Sequence, residues 1–186
     1  MEIERAGETG VLDLAQRERS PAAPLRALAG EVRAFLERRR AEGAFVPACD
    51  AWVSGWNREF SQELAARGWV GLTIPKRYGG GGGSQLERLM ITEEMLAAGA
   101  PVAAHWVTER QIAPMLLAVG SEEQRERFLP RIARAEVAFA LGMSEPDSGS
   151  DLASVRTRAI RTDDGWLMSG QKIWTTSAHR ADYVVV

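Results

Sequence analysis

In the stretch EVAFALGMSEPDSGSD, Glu136–Asp151, an apolar run ends in a segment, Gly142–Asp151, crowded with glycine, serine, proline and carboxylates. Upstream, apolar residues recur with helical spacing. Downstream, from Val137, the runs EVAFALGM, SVRTRAIRT, GWLMSG, KIWTTS and DYVVV are short, rich in β-branched or aromatic residues, and separated by DDG and SG turns. That change of period predicts a helical domain followed by a β domain.

Working back from Glu136, Ser121 with Gln124 forms a capping box that opens a helix toward Ala133. A helix from about Val102 to Val119 contains Pro114, which predicts a kink or a break there. Ser84 with Glu87 forms a second capping box, opening a helix from about Gln85 to Ala98 with Leu86, Leu89, Met90, Leu96 and Ala97 on its inward face. Glu93 falls in that stripe and reads as a carboxylate at the edge of the buried face, paired with an arginine. The segment GWVGLTIPKRYGGGGGS, Gly68–Ser84, is broken by Pro75 and ends in a glycine run that no regular element survives; it reads as a flexible connector. Asp50 is placed to cap a helix with the stripe Trp52, Trp56, Phe60 and Leu64, closed by Gly68. Leu28, Val32, Phe35 and Leu36 mark one face of a helix from Leu25 to about Gly43, and residues 1–24 read as a loose arm. The helical domain is therefore expected over 25–136 and the β domain over 137–186. The strand-like end ADYVVV has no turn or polar tail after it, so the sequence reads as an N-terminal fragment.

Composition sets bounds on function. With 186 residues, 45% of them hydrophobic and 26% charged, the chain has the make-up of a soluble globular protein of one to two domains. The net charge of −2, with basic residues scattered along the chain, argues against nucleic acid as a partner. A single cysteine, Cys49, forms no internal disulfide and gives no metal-ligand spacing. No leader-like region or membrane-length apolar run is present, so the expected location is the cytoplasm.

The Gly142–Asp151 loop supports two readings. Its glycines and serines leave N–H groups and hydroxyls to face an anion; equally, Asp147, Ser148 and Asp151 could cap their own backbone. The glycine run lacks the Lys-Ser/Thr ending of a phosphate loop, and GMSEP is not a nucleophile elbow. His105 and His179 have no Cys, Asp or Glu at ligand spacing, so no metal site is expected. KIWTTSAH sets an indole beside two hydroxyls: either a flat wall for a planar heteroaromatic ring, or a strand with Trp174 in the core.

In order along the chain, GWVGLTIPKRYGGGGGS with ITEEMLAAGAP, then GSEEQRERFLPRIARAEVAFALGMSEPDSGSDLASVRTRA, then GWLMSGQKIWTTSAHRADYVVV, resemble the acyl-CoA dehydrogenase family of flavoproteins. The resemblance covers about Asp50 to Val186, is most specific in the pairing of SEPDSGSDL with GQKIWTTSA, and is closest to bacterial, actinobacterial members, some of which act on steroid side-chain CoA thioesters. It implies an α+β fold: an all-α N-terminal domain, the first strands of an antiparallel β-barrel-like middle domain, and a C-terminal helical domain not contained in this chain.

The resemblance also implies FAD as cofactor, held by Leu141, Met143, Ser144, Gly149, Ser150, Trp174, Thr175 and Thr176. Ser144 would bond the flavin ring, and Gly149 and Ser150 would lie near the pyrophosphate or the entry path of the CoA thioester, which makes Ser150 a substrate contact as well. Trp174 and Thr175 would pack against the isoalloxazine, with the Thr176 hydroxyl toward N5 and O4. Ser144 stands where the family usually has threonine, and Asp147 where it has glycine or asparagine. The implied reaction removes the proton α to an acyl-CoA thioester while the β-hydride passes to flavin, giving a trans-2-enoyl-CoA; the alternatives are an acyl-CoA oxidase or flavin monooxygenase of the same fold, or a non-catalytic partner subunit of a heteromeric dehydrogenase. The implied electron acceptor is an electron-transfer flavoprotein, and the implied assembly a homo- or hetero-oligomer. The resemblance also implies that the base is a glutamate of the C-terminal domain and that Glu93, Glu94 and Glu145 match structural positions, so no catalytic residue is expected in this chain.

Overall fold

The computed structural model describes residues 23–186. The arm expected over 1–24 lies outside the described residues except for Ala23 and Pro24, which already belong to the first helix. That helix, α1 (Ala23–Ala41), buries Val32, Phe35 and Leu36 and ends with Arg38, Arg39 and Arg40 at its negative dipole end. The next, α2 (Arg58–Ala66), starts later than expected. Asn57 caps it by accepting the Phe60 N–H at 2.9 Å, whereas Asp50 belongs to a separate turn in which Ser54 Oγ donates to its carboxylate at 2.9 Å. Phe60 and Leu64 enter the core, but Trp52 is 45% exposed and packs on Trp106, ring centroids 5.7 Å apart.

The glycine run is a packed element, which corrects the expectation of a flexible connector. A short 3₁₀ turn, Lys76–Tyr78, folds the run back onto residues 71–74. Gly81 N–H donates to Gly71 O at 3.3 Å, Gly82 N–H to Ile74 O at 3.0 Å and Gly83 N–H to Leu72 O at 2.8 Å. Glycine is needed for contact: a Cβ on Gly80 would lie 2.2 Å from the Ile74 carbonyl oxygen.

Helix α3 (Gln85–Ala97) has its capping box, yet its buried residues are Ile91, Thr92 and Met95. Leu86, Leu89 and Leu96, expected inward, are exposed because the Ile91–Met95 face is the one turned to the core. Glu93 is also exposed, and it is Glu94 that pairs with Arg33, at 2.6 Å. Helices α4 (Ala103–Val107) and α5 (Ala113–Val119) are joined without a break by a π-helical turn, Thr108–Ile112. The turn answers Pro114, which has no N–H and would clash with the carbonyl four residues before it; widening the ring, with Ala113 N–H reaching back to Thr108 O, relieves that clash. The second capping box opens α6 (Glu122–Ala133).

The chain then enters strand β1 (Phe139–Leu141). A hairpin of β2 (Arg158–Thr162) and β3 (Gly165–Ser169) turns through Asp163-Asp164, and β4 (Tyr183–Val185) returns beside β1. The helical domain followed by strands is thus as expected, but β1 and β4 pair parallel, Phe139 opposite Tyr183, while the β2–β3 hairpin is antiparallel. KIWTTS forms no strand: Ile173 N–H is committed to Ser144 O at 2.9 Å, Trp174 takes a φ of 55° and Ser177 one of 60°. Two apolar clusters hold the molecule together, one between α1, α2 and α3, the other under α5 and α6. The second continues into the sheet, where Phe128 meets Phe139 and Tyr183 edge-on at 5.4 and 5.3 Å.

Two outcomes follow for denaturation experiments. Gly30, on an open face inside α1, and Gly80 are expected to respond oppositely to alanine. Gly30→Ala gains about 0.5–1 kcal/mol of helix propensity, and Gly80→Ala loses about 1–3 kcal/mol to overpacking; urea midpoints of the two variants read the signs directly.

His105 gives a pH effect. It is buried, and because Ser61 donates its hydroxyl proton to Asn57 O at 3.0 Å, the Ser61 oxygen accepts from His105 Nδ1–H at 2.8 Å. Burial, helped by the Arg110 guanidinium, lowers its pKa to about 3. The unfolded chain therefore takes up the proton first, at about 6.5. Stability is complete above that pH and falls by up to about 1.4 kcal/mol per unit as pH drops toward 3. Urea titrations between pH 7 and 5 test this, and His105→Asn, which retains a donor without titrating, is expected to flatten the slope.

Candidate functional site

A cleft of about 200 Å³ opens where the helical part meets the strands. Trp106, Val107 and Gln111, on the α4 helix and its π-helical continuation, form one side; Leu141 at the end of β1, with Trp174 and Thr176, forms the other. It lies beside a wider opening of about 510 Å³ in which Trp174, Thr175 and Thr176 face Val53, Ser54 and Trp56. Trp174 is 86% exposed, so its indole is a free wall and not part of the core.

Of the residues singled out from the sequence, Leu141, Trp174, Thr175 and Thr176 line these spaces, while Met143, Ser144, Gly149 and Ser150 do not. Ser144 is joined to them through the main chain, by the Ile173 N–H on its carbonyl. Met143 is joined by Lys172, whose ammonium donates to the Met143 carbonyl at 2.8 Å. Gly149 and Ser150 are exposed farther along the loop, and Gly149 has open space where a side chain would be. Among the described residues, no protein hydrogen bond uses the hydroxyls of Ser144, Ser150, Thr175 or Thr176.

The loop keeps its shape through Glu145. Its carboxylate, 8% exposed, accepts from Arg156 N–H at 2.7 Å, from Thr157 N–H at 2.9 Å, from Thr157 Oγ1–H at 2.5 Å and from Lys172 Nζ at 3.0 Å. Glu145 and Ser148 close the turn by exchanging main-chain bonds of 2.7 and 3.1 Å, and the Ser148 hydroxyl meets that of Ser154 at 2.7 Å. Loop capping thus runs through Glu145, Ser148 and Ser154, while the Asp147 and Asp151 side chains take no part in it. The Thr157 hydroxyl first, then the Arg156 and Thr157 N–H groups, with Lys172 adding to them, pull the Glu145 pKa down to about 2. A carboxylate held so firmly in its charged form is a poor proton acceptor and a good anchor.

No signal in the sequence marks the far side of the cleft. Trp106, Val107 and Gln111 stand in an ordinary helical pattern, and Trp52, placed on a helix stripe by its spacing, sits on a turn at the cleft's end. Lys172 and Thr157 are Glu145's partners only through tertiary contact. His105 is buried against Ser61 while His179 is exposed at the wider opening, and no group of residues suited to a metal ion occurs among the described residues. No described helix is long and apolar enough to cross a membrane.

The profile of the N-terminal domain of acyl-CoA dehydrogenases matches residues 23–136, and that of the middle domain matches 140–186. The acyl-CoA dehydrogenase FadE26 of Mycobacterium tuberculosis is 44% identical over 127 residues, which cover 68% of this chain and 31% of that protein. Among solved structures, the steroid acyl-CoA dehydrogenase Tcur3481–Tcur3483 is similar at 36% identity and a TM-score of 0.73, over 87% of this chain and 42% of that one. A glutaryl-CoA dehydrogenase of Mycobacterium smegmatis, in complex with FADH2, superposes with a TM-score of 0.76 at 27% identity, over 94% of this chain and 45% of that one. The matched stretch spans about a third of the length of the curated relatives it aligns to. With both domain profiles matched in order, and the cleft lying where the two parts meet, the chain belongs to the acyl-CoA dehydrogenase family.

Proposed function

We propose that this chain forms the flavin-side part of an FAD-dependent acyl-CoA dehydrogenase, with residues 25–136 as its helical domain and 137–186 as the opening of its middle β domain. The observation that carries the proposal is the junction of the two loops: Ile173 N–H on Ser144 O and Lys172 on Met143 O and Glu145 hold GMSEPDSGSD against KIWTTS at the edge of one cleft. FADH2 in the similar glutaryl-CoA dehydrogenase points to the same cofactor here.

The donor set fits such a group. The hydroxyls of Ser144, Thr175 and Thr176 are uncommitted, the Trp174 ring offers a flat apolar face, and Gly149 leaves room beside its main chain. The Lys172 ammonium, 3.0 Å from the Glu145 carboxylate, offsets its charge, and three uncharged donors turn its oxygens inward, which reduces the repulsion of a phosphate on the outer loop. In this reading Leu141, Met143, Ser144, Trp174, Thr175 and Thr176 hold the ring, with Thr176 at its reactive edge; Gly149 and Ser150 serve the pyrophosphate or the thioester entry. When bound, FAD accepts the β-hydride of an acyl-CoA thioester, which leaves as a trans-2-enoyl-CoA. The residues of this chain orient and shelter the ring through hydrogen bonds and apolar contact. No carboxylate lines either space among the described residues, so the base that takes the α-proton is assigned outside this chain.

Similarity to FadE26 and to a steroid acyl-CoA dehydrogenase supports an acyl-CoA substrate of the fatty-acyl or steroid side-chain kind. The paired name of Tcur3481–Tcur3483 favours a heteromeric assembly, and a partner subunit that lacks the base is the second reading for this chain. An electron-transfer flavoprotein is the acceptor we assign to the reduced flavin.

Full-length protein is expected to purify yellow and to reduce a dye when an acyl-CoA is added. Colourless protein that cannot be reconstituted with FAD would overturn the assignment. The 186-residue chain by itself is expected to show no substrate-dependent dye reduction, and activity from it would place the base within these residues. Glu145→Gln in the full-length protein should weaken FAD binding by about tenfold while leaving turnover per bound flavin within about threefold, because it loosens an anchor and removes no reacting group. Equilibrium titration with FAD and single-turnover kinetics separate the two effects.

A further inference from the structure

Three consecutive side chains of the π-helical turn bind three different parts of the chain. Thr108 Oγ1 accepts the Phe139 N–H of β1 at 2.8 Å, Glu109 accepts the Gly71 N–H at 3.1 Å, and the Arg110 guanidinium donates to the Thr92 hydroxyl on α3. Thr108 and Glu109 are 2% and 4% exposed. The residues on either side of this trio, Val107 and Gln111, line the cleft opposite Leu141. Leu141 lies two residues beyond Phe139 on the same strand, hence on the same face of it.

The Thr108 bond has no substitute within the sheet. Phe139 lies opposite Tyr183 in the β1–β4 pair, where Tyr183 N–H reaches Ala138 O, and the buried Phe139 N–H is directed to the helix instead. A slip of β1 by one residue would leave that N–H without an acceptor and carry Leu141 off the face that meets the cleft. All three side chains sit on the π-helical turn that accommodates Pro114.

We infer that Thr108 is a positioning residue: its hydroxyl fixes β1 against the helix and so sets the spacing between Trp106–Gln111 and Leu141–Ser144. That this spacing serves a flavin rests on the function proposed above; the positioning itself does not. Thr108→Val keeps the branched shape and removes the acceptor, whereas Thr108→Ser keeps the acceptor. In the full-length protein, Thr108→Val is expected to speed amide hydrogen exchange at residues 139–144 by about tenfold, with α1 unchanged, as loss of one buried bond implies. It should also weaken FAD about tenfold and shift the flavin absorption band, and Thr108→Ser should stay within about twofold of the unsubstituted protein in each respect. Unsubstituted exchange at 139–144 in Thr108→Val would overturn the inference, as would a Thr108→Ser variant as impaired as Thr108→Val. Should Thr108→Val fail to fold, Thr108→Ala against Thr108→Ser gives the same comparison. If the unsubstituted protein binds no flavin, the proposed function falls and the exchange data still decide the role of Thr108.

Discussion

Among the described residues, strand β1 is paired by a neighbouring strand on one side only, and buried N–H groups at its start that face away from β4 must find acceptors elsewhere. Two side chains meet that requirement: Thr108 takes the Phe139 N–H and Asp182 takes the Ala138 N–H at 2.8 Å. Asp182 is in turn held by Arg58 at 2.9 Å from the start of α2. Polar bonds therefore tie the start of β1 to the π-helical turn, to the residue before β4 and, through it, to α2, while Phe128, Phe139 and Tyr183 supply the apolar contact around it. The position of Leu141, and of the loop that follows, depends on this seat.

From that seat the loop is shaped by one carboxylate. Glu145 gathers main-chain and side-chain donors from residues 156–157 and from Lys172, joining three stretches distant in sequence. Its depressed pKa and its place as an anchor have one cause, since the donors that fix the loop also stabilise the charge. The contrast with Glu109 is instructive. There burial pushes the carboxyl up against the opposing pull of Arg110, and the group is buried among the helices and does not line the cleft. Neither glutamate suits proton transfer in the cleft: Glu145 because a carboxylate so strongly stabilised is a poor proton acceptor, and Glu109 because it is not among the residues that line the cleft.

Much of the fold was legible because local chemistry and structure agree. Ser84 with Glu87 and Ser121 with Gln124 are satisfied within one turn, so both capping boxes appear where their residues predict. Legibility failed where a choice depended on distant partners. The α3 stripe offered two apolar faces, and packing against α1 selected Ile91 and Met95 over Leu86 and Leu89. Asp50 looked like a cap, but Asn57 stood where the helix begins. The glycine run looked flexible by composition, yet its missing side chains are what allow the backbone to lie on Ile74 and Leu72.

By itself the sequence determined the change from helices to strands near Val137, the ends of α3 and α6, and the turn-rich segment Gly142–Asp151, since each is written in short-range spacing. The tertiary structure alone decided that KIWTTS bends with Trp174 outward, that β1 pairs with β4 in parallel, and that Trp106, Val107 and Gln111 form the opposite wall. These outcomes depend on which buried N–H reaches which acceptor across tens of residues, as Phe139 does with Thr108, Ile173 with Ser144 and Thr157 with Glu145. A pattern of residue types contains no record of such pairings until the chain has folded.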